Sequence, residues 1–117
     1  MNLIEQLGGY EYLNEFYKRA VAHGFTLTEI KEELLKYRRQ HNIFEIGDKV
    51  VLLKNQHMWH KMESIYTVTS TDIYDGITIG VAIEYKNTSH GNEIGNIRHA
   101  TDAEIKAGKR LEVKGEN

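Results

Sequence analysis

His57, Met58, Trp59 and His60 are the densest run of chemically capable side chains in this sequence. A His-x-x-His pair on one helical turn can offer two imidazoles to a metal ion, yet here no glutamate base adjoins it and the chain has no cysteine to complete a ligand set. The run falls between two strand-like segments, so its imidazoles need not converge, and no metal is expected. Trp59 with Met58 and Met62 suggests a different use. An indole beside flexible thioethers on a loop makes an adaptable contact for a protein partner. The same ring folded inward would plug the open end of a small barrel.

Lys36, Arg38, Arg39 and His41 form the one concentrated basic cluster. It could meet phosphates or an acidic protein surface, and it equally suits the C-terminal end of a helix, where cations offset the macrodipole. Lys106, Lys109 and Arg110 are interleaved with Asp102, Glu104 and Glu112, which cancels much of their field. Arg98 is placed to anchor a carboxylate across the fold, with His99 fixing the turn that follows. Neither has a Ser or Cys nucleophile in a recognised setting. Asp72 and Asp75 flank a tight turn, where carboxylates satisfy backbone amides without doing acid–base chemistry. The glycines build no phosphate cradle, since none is followed by Lys-Ser/Thr and no Gly-x-Gly-x-x-Gly occurs. Of the seven tyrosines, Tyr10, Tyr12, Tyr17 and Tyr37 lie in the first third, and any left outside the core, Tyr12 foremost, favours a protein interface. The expectation is therefore a binder without catalytic residues, cofactor or metal. Its guessed contacts are Trp59, Met58, Tyr12, Lys36, Arg38 and Arg39.

The elements that would hold these residues change character along the chain. Residues 2–7 can make one helical turn, broken by Gly8 and Gly9. Over residues 10–23, Leu13, Phe16, Tyr17, Ala20 and Val21 recur at helical spacing, and Gly24 offers a left-handed stop. Thr26 with Glu29 reads as a capping box opening a second helix, whose apolar face is Leu27, Ile30, Leu34 and Tyr37. Ile30, Leu34 and Tyr37 should then face Leu13, Phe16 and Tyr17 in an antiparallel pair or corner. After a hinge at residues 41–47 the texture turns to Val, Ile, Thr and Tyr. Strands are expected at 49–53, 65–70 and 78–85, with Asp75-Gly76 as a hairpin turn. Residues 87–95 read as a loop, Thr101 with Glu104 as another capping box, and residues 111–113 as a last strand. The barrel core is expected at Val50, Leu52, Tyr66, Val68, Ile77, Ile79 and Val81.

The whole is 117 residues, 40% hydrophobic and 27% charged, the balance of one small soluble domain rather than a multidomain enzyme, a disordered chain or a membrane span. A domain of this size hides roughly two-thirds of its unfolded surface, enough for a core without covalent staples. The net charge of −2 exerts no general pull on nucleic acid or anionic lipid. The first residues carry no secretory leader, which points to the cytoplasm. The fold class expected is α+β: a helical pair over residues 1–43, then a small SH3-like β-barrel over 44–117 with a short C-terminal helical turn, packed as one compact unit.

Two stretches carry a resemblance. Gly47-Asp48-Lys49-Val50, followed by a long loop and Tyr66-Thr67-Val68, resembles the opening strands of SH3-like barrels, including the KOW type. Ile97-Arg98-His99-Ala100-Thr101-Asp102-Ala103-Glu104-Ile105-Lys106-Ala107-Gly108-Lys109-Arg110-Leu111 is similar to a closing segment of small accessory proteins of tailed phages and prophages, as is Leu7-Gly8-Gly9-Tyr10-Glu11 at the start. That resemblance implies a non-enzymatic protein that binds a host protein or defence complex in the manner of anti-CRISPR inhibitors. A small nucleic-acid-binding regulator is the alternative.

Overall fold

The computed structural model describes residues 3–54, 61–75, 77–85 and 88–111, and the chain divides into two compact units, Met1–Ile43 and Phe44–Asn117. The first unit is helical: α1 (Leu3–Gln6), α2 (Tyr10–Ala22) and α3 (Thr28–His41). Ile4, Leu13 and Leu34 are its buried centre, with Tyr10, Tyr17, Ile30 and Tyr37 packed around them. Tyr37 stacks on Tyr10 at 4.9 Å between ring centroids and on His41 at 4.1 Å.

Gly24 ends α2 as its sequence implies. At φ 93° it lets the Phe25 amide donate to the Ala20 carbonyl and its own amide to that of Val21, the paired bonds of a Schellman turn. The second capping expectation is corrected. α3 is entered through Leu27 in the left-handed region (φ 43°), with no side-chain cap, so Thr26 stands one position too early to reach the first turn. Phe16 is corrected as well. At 42% exposure it stands outside the cluster formed by Leu13, Tyr17, Ile30, Leu34 and Tyr37.

The second unit is a five-stranded antiparallel sheet, β1 (Lys49–Leu52), β2 (Tyr66–Tyr74), β3 (Ile77–Tyr85), β4 (Thr88–Glu93) and β5 (Ile97–His99), in the order β4-β3-β2-β1-β5. No ladder joins the outer strands β4 and β5, so the sheet is α+β architecture without the closed barrel that was expected. A 3-10 turn, Ile94–Asn96, connects those two strands, and α4 (Asp102–Ala107) follows β5.

The entry turn works through Asp48, whose carboxylate accepts from the Glu45 amide (3.0 Å) while its own amide donates to the Glu45 carbonyl. Its buried centre joins Phe44, Val50, Leu52, Tyr66, Val68, Val81, Ile83 and Ile97. Phe44 stacks on the buried His99 ring at 4.4 Å. Of the expected core, Ile79 is displaced to the surface, and the Ile77 side chain is outside what is described. Val50, Val51 and Leu52 are all fully buried, so β1 is covered on both faces.

The expected loop at 87–95 is instead β4, paired with β3 from Gly80↔Glu93 to Tyr85↔Thr88. The two strands approach closely at Gly80, where a Cβ would lie 2.6 Å from the Asn92 carbonyl oxygen. The hairpin expected at Asp75-Gly76 brings Tyr74 opposite Ile77, with Asp75 at the positive φ (52°) such a turn favours, while Gly76 lies outside the described residues. Among the described residues no helix is long and apolar enough to cross a membrane.

Candidate interaction surfaces

Glu104 is strongly altered by its surroundings, and its geometry explains the alteration. Thr101 caps α4, and the capping box is complete: the Glu104 amide donates to Thr101 Oγ1 (3.1 Å) and the Thr101 amide to Glu104 Oε1 (2.9 Å). The buried carboxylate also accepts two hydrogen bonds from Arg98, at 2.7 and 3.0 Å, and one from the Leu111 amide at 2.8 Å. Burial alone would push the carboxyl up. The Arg98 hydrogen bonds, the two backbone amides and the Arg98 charge outweigh it, lowering the group to about 2. Arg98 also donates to the His99 carbonyl (3.1 Å). The pair ties β5, α4 and the chain after α4 together. It is a clasp, with every carboxylate lone-pair direction toward the protein occupied.

Chemistry with a partner must come from what is exposed. At the β2–β3 turn, Ile73, Tyr74 and Ile79 are all more than half exposed, Tyr74 at 74%. The ladder shifts register between Asp72 and Ile73, so Ile79 is the unpaired extra residue of a bulge beside the turn. Three large apolar side chains are thus exposed around the end of the hairpin, Ile73 and Tyr74 on opposite faces of the ladder.

The helical unit has a second surface. Tyr12, Phe16, Arg19 and His23 follow one another at steps of four, three and four residues, on the face of α2 opposite Leu13, Asn14 and Tyr17. Tyr12 lies over Gly8, and Phe25 is 61% exposed just past the Gly24 turn. Phe16, Arg19, Ala20, His23, Phe25 and Leu27 line an open, largely apolar groove of about 480 Å³.

The sequence-derived contacts fall in several places. Tyr12 is on the outer face just described. Lys36 is exposed and lines a small polar hollow with Ile4, Glu33, Tyr37 and Gln40. Arg38 and Arg39 are half-buried in the last turn of α3, and helical geometry turns Arg38 about 200° from Lys36, so the three do not share a face. Trp59 and Met58, with His57 and His60, lie outside the described residues, as does the strand expected at 112–113. Among the described residues no group of three or more His, Asp or Glu side chains is gathered to hold a metal.

Phe16, Arg19, His23 and Phe25, and Ile73, Tyr74 and Ile79, were not among the expected contacts. The four-three-four spacing from Tyr12 to His23 was a readable signal. The hairpin residues had none, because alternation along a strand does not show where its cover ends. Comparison with the models of known protein families, with curated proteins and with solved structures finds no match.

Proposed function

We propose that this chain is a non-enzymatic accessory protein of phage or prophage type, which binds a host protein or defence complex and inhibits it by occlusion. The observation that carries this reading is the exposed apolar end of the β2–β3 hairpin, Ile73, Tyr74 and Ile79. Aromatic and aliphatic side chains held on a rigid ladder lose little entropy on docking and supply most of the energy of a small interface. Glu104 supports the same reading, since its altered carboxyl is consumed in an internal clasp. The fold reading that accompanies it is SH3-like. β2 pairs with β1 through Tyr66 and Thr67 and with β3 from Val68 onward, and a 3-10 turn links the last two strands. Trp59 and Met58, between β1 and β2 in the chain, are kept as contacts of the same partner.

The test uses the full chain as bait in a lysate of a bacterial host, beside the double variant Tyr74→Ser/Ile79→Ser. The expected result is one host protein retained in near-equimolar yield, with at least tenfold less on the variant and an unchanged melting temperature. Equal retention by both proteins overturns the hairpin assignment. Binding of random duplex DNA that weakens steeply with salt would establish the nucleic-acid reading in its place.

A further inference from the structure

The outer face of α2 is ordered along its length. Tyr12 and Phe16, with Glu15 at the rim, occupy its first half, and Arg19 and His23 its second. Tyr12, Phe16 and Arg19 all point away from the buried centre of the unit, and the apolar groove runs beside the cationic half. Glu15, at the rim of this face, approaches Lys18 to 4.0 Å with both side chains more than half exposed, a pair that contributes little.

We infer that this face is covered by the same face of a second copy, with the two α2 helices antiparallel about a two-fold axis between Phe16 and Arg19. A two-fold interface is self-complementary, each patch meeting its own counterpart in reverse. Reversal about that point sets Tyr12 opposite the mate's His23 ring and Phe16 opposite the mate's Arg19, so the phenyl ring meets a guanidinium on each side of the axis. It also brings Glu15 alongside the mate's Arg19. The mate's Phe16 and Tyr12 lie over the groove floored by Ala20, Phe25 and Leu27. A parallel mate would instead stack acid on acid and cation on cation, which the charge order disfavours. The occupant is thus a second copy rather than an acidic or basic foreign helix, each of which would match only half of the face. This dimer is independent of the hairpin assigned to the host target.

The absence of cysteine from the chain makes the test direct. Single variants Tyr12→Cys and His23→Cys are prepared in the full-length protein and oxidised alone and as an equimolar mixture. The antiparallel arrangement predicts a disulfide dimer in the mixture and at least tenfold less in either variant alone, because like positions stand about 16 Å apart along the axis. Sedimentation of the wild type should show a concentration-dependent dimer. Arg19→Glu should weaken it at least tenfold, and Glu15→Arg/Arg19→Glu should restore it. These side chains are exposed, so melting temperatures should stay near the wild-type value. A wild type that remains monomeric at millimolar concentration, or cysteines that cross-link like to like, overturns the inference.

Discussion

A carboxylate that receives hydrogen bonds from one guanidinium and two backbone amides is worth most when it is charged, and Glu104 is charged throughout the neutral range. Because its pKa is lowered on folding, its contribution is complete above about pH 4.5 and disappears as pH falls toward about 2. Glu104→Gln keeps the shape and removes the charge, leaving Arg98 without its counterion. The expected cost at pH 7 is about 3 kcal/mol. Urea unfolding of both proteins at pH 7 and pH 3 checks this, and the gap must narrow at the lower pH. A gap that is the same at both would mean the charge is not what stabilises the clasp. The residues of this clasp were partly legible. Thr101 and Glu104 are a local motif, visible at a spacing of three, and it forms as read. The same motif at Thr26 and Glu29 does not form, because the chain enters α3 through a left-handed Leu27, a backbone choice no side-chain pattern announces. The Arg98 partnership was foreseen as an anchor for some carboxylate, but which one depends on where β5 delivers α4.

Among elements, the helices and β1 to β3 follow from periodicity and turn chemistry, whereas β4 does not. Thr88-Ser89-His90-Gly91-Asn92-Glu93 has the composition of a loop and becomes a strand because β3 offers it a complete ladder. Asn92 is buried there and accepts from Asn96 Nδ2 at 3.2 Å, while Thr69 Oγ1 reaches Ser89 Oγ at 2.9 Å. Tertiary pairing thus outweighs local propensity. Phe16 illustrates the helical counterpart. It sits at the rim of the apolar stripe, about 60° around the helix from Leu13, and stays exposed because the packed face runs the other way, from Leu13 through Tyr17 to Asn14. The close approach at Gly80 gives the β4 assignment a measurable consequence. Gly80→Ala should cost about 2 kcal/mol, because its Cβ would press on the backbone of Asn92. Gly91→Ala, across the same ladder with open space around it, should cost under about 1 kcal/mol or stabilise slightly. Chemical denaturation of the two variants side by side decides it. Equal losses would mean that β4 does not press against β3 at Gly80.

For the whole molecule, the boundary at residue 43 separates two cores of very different capacity. The sheet unit buries a continuous cluster from Phe44 to Ile97 and clasps its own C-terminal helix, whereas among the described residues of the helical unit the buried apolar cluster is Ile4, Leu13 and Leu34. Segments near 40 residues seldom hold a fold without added help, since too little apolar surface leaves water to offset chain entropy. The two units should therefore behave differently when separated. A chain of residues 42–117 should unfold cooperatively, retain the host protein as well as the intact chain does, and sediment as a monomer. The peptide of residues 1–43 should be weakly helical when dilute and gain helicity with concentration, as its α2 face finds a mate. Circular dichroism across a hundredfold concentration range, with sedimentation of the longer piece, measures both. Helicity independent of concentration would separate helix formation from self-association, and a dimeric 42–117 would move the contact between copies out of the helical unit altogether.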